Sequence, residues 1–180
     1  MFKDFDIASL KKMKPRGDNS FDTRMEIKEL NKIPLNTKFV RENDDIEAAF
    51  KKTAEKNNVK DYDPTIAATI IKLSAPVILK LKNHFNRLRP KVVAKKMNIK
   101  MENIETNTMK TPSYPSGHSV QGRLISKVLA DKYPKAAKAF EKTGDDISYS
   151  RRVARAHYKS DSTMGKKMGD MMYKHIKNKI

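Results

Sequence analysis

Residues Ser150 to Asp161, SRRVARAHYKSD, place an arginine six residues ahead of a histidine and a carboxylate four residues after it. On one helix, the four-residue spacing would put His157 and Asp161 on the same face, within hydrogen-bond reach. A carboxylate on one ring nitrogen fixes the tautomer and leaves the lone pair of the other free to attack. It also stabilises the charge that develops on the ring. Arg151 adds a bidentate partner for phosphate oxygens.

Two further stretches complement this pair. In Lys82-NHFNRL-Arg89-Pro90, seven residues bring a helix nearly back to the same angular position. Lys82 and Arg89 would then point the same way, roughly 10 Å apart along the axis, and converge on one anion. Pro90 biases Arg89 out of helical geometry and aims its guanidinium off the helix end. In Pro115-Ser116-Gly117-His118, a small residue and a glycine open a helix and leave backbone N–H groups free at the positive end of its dipole. His118, in the first turn, would stand at the rim as a proton donor to a leaving group.

Taken singly, each stretch has a plainer reading. Lys82 and Arg89 fit a solvated helix face, Ser116-Gly117 an ordinary helix start, and His157 with Asp161 a structural hydrogen bond. Their order in one chain reverses those readings and points to a phosphate-binding site. Lys82 through Pro90, Pro115 through His118 and Ser150 through Asp161 together resemble the three-part signature of the type 2 phosphatidic acid phosphatase superfamily. The gaps of 24 and 31 residues between the motifs are of that family's kind. The superfamily includes class A nonspecific acid phosphatases, integral-membrane lipid phosphatases and vanadium haloperoxidases, and the wording here is most similar to the first.

The resemblance implies a phosphohistidine mechanism. Lys82, Arg89, Ser116, Gly117 and Arg151 would hold the phosphoryl oxygens, a form of electrostatic preorganisation. His157 would attack phosphorus, Asp161 would orient it, and His118 would protonate the leaving oxygen and then activate water. It also implies no metal and no other cofactor, since three cations and a helix end take the metal's place. Phosphate or vanadate would occupy the site.

The elements that must position these groups read as helices. Residues 1–42 form an arm with a short helix near Ile7 to Met13. Asn43 or Asp44 caps a helix to about Lys56, with Ile46 and Phe50 inward. Asp63-Pro64 starts the main apolar element, which Pro76 breaks or kinks, with Val77, Ile78, Leu81, Phe85 and Leu88 recurring up to Pro90. Val92 to Met97 is a short helix and residues 98–116 the main loop. Gly117 to Tyr133 is a helix with Val120, Leu124, Val128 and Leu129 inward. Lys135 to Lys142 is another, ended by Gly144. Asp146 caps the helix carrying His157, and Ser162 caps the last, to about Lys179. Nothing alternates with period two. The expected fold is all-α, a helical bundle of the acid phosphatase/vanadium haloperoxidase type, in one domain over 1–180 with its catalytic core at 64–179.

The chain of 180 residues is large enough for one core, and its net charge of +18 favours anionic partners. Residues 1–60 carry 14 Lys and Arg against 11 Asp and Glu, so a surplus of 15 belongs to the rest, which holds all three motifs. The absence of cysteine excludes disulfides and a thiolate nucleophile. The N-terminus, interrupted by Asp4, Asp6 and Lys11, does not read as a secretory signal, and the expectation is a cytoplasmic protein unless a leader was removed. No stretch spans a bilayer.

The leading function is a soluble, metal-independent phosphatase acting on small phosphate monoesters such as nucleotides or sugar phosphates. The alternatives are a vanadate-dependent haloperoxidase, for which the chain is short, and a basic nucleic-acid-binding protein with an inactive site. Nucleic acid is disfavoured because aromatic residues are few and not interleaved with the basic ones. Met164, Met168, Met171 and Met172 fit the core or a homodimer seam. His84 and His175 read as surface residues.

Overall fold

The computed structural model describes residues 1–177, and all regular structure among them is helical. The order is α1 (Ile7–Lys11), α2 (Phe21–Lys32), α3 (Thr37–Asp44), α4 (Ile46–Lys56), α5 (Thr65–Phe85), α6 (Pro90–Lys96), α7 (Gly117–Lys132), a 3-10 turn Pro134–Ala136, α8 (Ala137–Val153) and α9 (Lys159–Ile176). No described helix is long and apolar enough to cross a membrane.

Short polar side chains start several of these helices by accepting orphan N–H bonds. Ser20 caps α2, Asn36 caps α3, Asp45 caps α4 and Ser116 caps α7. The α4 cap is therefore one residue later than expected, because Asn43 and Asp44 still belong to α3. The stretch expected to be an arm contains α1, α2 and most of α3. Its helical pattern is weak in the sequence because its apolar residues are sparse and separated by charges.

Helix α7 is the centre of the bundle, packed most extensively between α8 and α9. Val120, Leu124, Val128 and Leu129 are buried, as their spacing predicts. The close approach of α7 and α8 needs glycine: a β-carbon on Gly144 would stand 2.6 Å from the Gly122 carbonyl oxygen. Gly144 thus serves packing and does not end a helix, and α8 runs through it from Ala137 to Val153. Asp146, expected as a cap, lies inside α8 and pairs with Lys142 four residues earlier.

Pro76 does not break α5, which continues for 21 residues. An internal proline costs about 3 kcal/mol, whereas burying one large aliphatic side chain contributes roughly 1.5–3 kcal/mol. Ile70 lies before the proline and Ile78 and Leu81 after it, and all three are buried. Continuity keeps both sets in one core, so packing outweighs the lost hydrogen bond. Helix α5 ends at Phe85, where Asn86 turns left-handed at φ 46°; Leu88 lies beyond it. Lys82 and Arg89 therefore do not share a helix. Met164, Met168 and Met172 are core residues and Met171 packs against them. The expected end near Lys179 lies outside the described residues.

Candidate active site

The segment between α8 and α9 carries the histidine. Arg151 lies in the last turn of α8, Tyr158 is the N-cap of α9, and Asp161 is the third residue of α9. His157 and Asp161 are thus not on one helix, and Ser162, expected as the cap, lies inside α9. Their contact survives because Asp161 reaches back across the helix start. Its Oδ2 accepts from Tyr158 N at 3.1 Å and meets His157 Nδ1 at 3.1 Å. One carboxylate therefore caps α9 and holds the imidazole.

The other ring nitrogen faces a guanidinium: Arg89 Nη1 is 3.0 Å from His157 Nε2. A guanidinium only donates, so Nε2 must be the acceptor and Nδ1 must carry the proton toward Asp161. Burial pulls the His157 pKa well below its ordinary value, followed in effect by Arg89, Lys82, Arg151 and His118. His157 is neutral, with its lone pair directed at Arg89, and the expected cations lie within electrostatic range of it.

Arg89 is held extended at the start of α6 by Pro90, off the helix end as predicted. Its Nε donates to Thr111 O at 2.9 Å and its Nη1 to Ala156 O at 3.0 Å. Lys82 donates to Pro112 O at 2.6 Å. Its pKa falls to about 7, first through burial and then through Arg89 and Arg151. Arg151 donates to Asp44 Oδ1 at 2.6 Å and to Thr106 and Thr108 hydroxyls at 2.9 and 3.3 Å. Burial lowers its pKa against the opposing pull of Asp44. The loop 106–112 thus supplies acceptors to all three cations.

Ser116 caps α7 through its hydroxyl, which accepts from Ser119 N at 3.3 Å, while Ser116 N donates to Asp161 O at 3.1 Å. The amides of Gly117 and His118 lie ahead of the intrahelical ladder. A β-carbon on Gly117 would meet the Lys82 side chain at 3.9 Å, so this helix start abuts the lysine. His118 Nε2 lies 2.9 Å from the Asp44 carbonyl oxygen and 3.5 Å from its Oδ1. A carbonyl only accepts, so Nε2 carries a proton and this contact leaves Nδ1 unengaged. Burial lowers the His118 pKa, and the Asp44 hydrogen bond opposes that shift.

Four residues outside the expected set belong to this network. Arg87 is buried, with Nη1 2.7 Å from Asp161 Oδ1 and its guanidinium stacked 3.9 Å over the Tyr158 ring. Glu26 on α2 accepts from Arg87 Nη2 at 3.2 Å and from Ser160 N at 2.7 Å. Asp44, at the end of α3, joins Arg151 and His118. Ser113 also donates its hydroxyl to Asp161 Oδ2. Arg87 sits within the first motif, between Lys82 and Arg89, and its type was visible there; Glu26 and Asp44 carry no local signal. Among the described residues, no group of three or more histidines and carboxylates is arranged to hold a metal ion.

No family model matches the chain. Over 95 residues the chain is 30% identical to a non-specific acid phosphatase of Salmonella typhimurium, an alignment covering 53% of this chain and 38% of that protein. It is also 30% identical over 95 residues to a non-specific acid phosphatase of Salmonella typhi, with the same shares covered. The matched region spans under two fifths of each relative's length, and over about half of its own length the chain is similar to acid phosphatases.

Proposed function

We propose that the chain is a phosphomonoesterase that works through a phosphohistidine on His157, without a metal. The observation that carries this reading is the doubly fixed imidazole, with Nδ1–H on Asp161 at 3.1 Å and the Nε2 lone pair meeting Arg89 at 3.0 Å. Such a ring is neutral, oriented and surrounded by positive charge, which is what attack on an anionic phosphoryl group requires. The similarity to non-specific acid phosphatases supports the same chemistry.

In the first step the Nε2 lone pair forms a bond to phosphorus and the bond from phosphorus to the ester oxygen breaks. His118 gives its Nδ1 proton to the departing oxygen, which leaves as an alcohol. Lys82, Arg89, Arg151 and the Gly117 amide take the equatorial oxygens, with Ser116 fixing the helix start. Asp161 stabilises the cationic ring. Water then attacks phosphorus while His118 Nδ1 takes its proton, the N–P bond breaks, and orthophosphate leaves with the lone pair restored to Nε2.

The direct test is phosphate release from p-nitrophenyl phosphate with EDTA present, by wild type and His157→Ala. Wild type should turn over from pH 4 to 8, with vanadate as a competitive inhibitor, and the variant should lose activity by at least a thousandfold. Wild-type inactivity throughout that range would overturn the reading; activity retained by the variant would overturn the mechanism.

A further inference from the structure

An in-line displacement expels the ester oxygen on the side opposite the attacking nitrogen. With His157 as nucleophile and His118 as proton donor, the leaving group therefore lies beside His118 and its partner Asp44. On the far side of Asp44 from His118 lies a cavity of about 230 Å³, with Val40, Arg41, Asp44, Ile104, Glu105 and Thr106 in its walls. Two of these residues connect it to the phosphoryl cradle. Asp44 Oδ1 and Thr106 Oγ1 both accept from Arg151, at 2.6 and 2.9 Å. Through these two residues the cavity borders the guanidinium proposed to hold phosphate.

Its charges are unequally matched. Asp44 is paired with Arg151, and Glu105 with Lys91 at 3.3 Å. Arg41, one turn before Asp44 on α3, is exposed and has no carboxylate or hydrogen-bond partner among the described residues. Val40 and Ile104 give aliphatic walls, and no aromatic side chain lines the cavity to stack on a nucleobase. Its volume is below the range of roughly 300–1,000 Å³ usual for drug-sized ligands.

We infer that this cavity is the leaving-group subsite and that Arg41 selects compact aliphatic phosphate esters bearing a second anionic group, as in a phosphorylated short hydroxy acid or diol bisphosphate. The inference rests on the phosphatase reading and specifies its substrate class. Arg41 offers a planar fork suited to carboxylate or phosphate.

The test compares kcat/KM for glycerol phosphate, 3-phosphoglycerate and propanediol bisphosphate in wild type, Arg41→Met and Arg41→Lys, with p-nitrophenyl phosphate as the general substrate. The two anionic arms separate a carboxylate from a second phosphate as the preferred group. Wild type should favour at least one of them over glycerol phosphate by about tenfold. The preference should vanish in Arg41→Met and persist in part in Arg41→Lys. Hydrolysis with no preference in wild type, or a preference undiminished in Arg41→Met, would overturn the subsite alone. Absence of phosphate release from every ester would overturn the phosphatase reading and the subsite with it.

Discussion

Arg87 Nη1 donates to Asp161 Oδ1 at 2.7 Å, and both side chains are almost completely buried. The second carboxylate oxygen of Asp161 is thereby left for Tyr158 N, Ser113 and His157. Arg87 thus sets the angle from which Asp161 meets the imidazole, and Glu26 on α2 holds Arg87 from behind. A helix expected to be part of an arm is tied in this way to His157, the proposed nucleophile.

Replacing Arg87 by Met leaves Asp161 buried without its countercharge. Breaking such a pair costs about 3–5 kcal/mol. A large fall in Tm is the expected result, together with a lower kcat. Arg87→Lys should recover part of the stability but little kcat, because an ammonium cannot bridge Asp161, Ser160 and Glu26 with one planar fork. Thermal unfolding and steady-state kinetics on both variants check this.

Lys82 is a charge that the fold holds at a cost. Its folded pKa of about 7 lies below the ordinary 10.5, mainly through burial. Between those values the unfolded chain binds more protons than the folded one, so this group makes stability rise as pH increases from about 7 to about 10. Lys82→Met should abolish most activity, stabilise the fold at pH 6 by on the order of 2 kcal/mol, and flatten that pH dependence. Denaturant titrations at pH 6 and pH 9 measure both effects.

Asp44 acts on two partners. Its carboxylate pairs with Arg151, where it would compete with a bound phosphate, and its hydrogen bond raises the His118 pKa against the lowering effect of burial. Asp44→Asn should tighten inhibition by orthophosphate several-fold. It should also move the fall in kcat with rising pH to lower pH, because His118 donates its proton only while protonated. An unchanged pH profile would mean that Asp44 serves structure alone.

The sequence conveyed what depends on local chemistry. Ser116 caps α7 and Pro90 holds Arg89 extended, because caps and prolines act on their immediate neighbours. The inward face of α7 was legible because Val120, Leu124 and Val128 repeat at helical period. Misread features depend on distant partners. Pro76 stays within α5 because apolar residues on both sides of it share one core, and Gly144 stays within α8 because Gly122 of α7 presses against it. The site followed the same division. The motif residues could be picked out by type and order. Glu26 and Asp44 could not, since one lies 61 residues before Arg87 and the other 107 before Arg151. His157 lies outside the helix that carries Asp161, contrary to the spacing's expectation of one shared helix, yet the two meet because a capping carboxylate reaches back over the same four residues.

The central claim is that His157 becomes covalently phosphorylated. His118→Ala should form the intermediate with p-nitrophenyl phosphate, whose leaving group needs little protonation, and hydrolyse it slowly for lack of a base. Quenching this variant in alkali during turnover, followed by peptide mass spectrometry, measures the claim directly. The account predicts the added mass of one phosphoryl group on the peptide containing His157, absent from His118→Ala/His157→Ala. Phosphorylation of another residue, or phosphate release by His118→Ala with no adduct on that peptide, would contradict it.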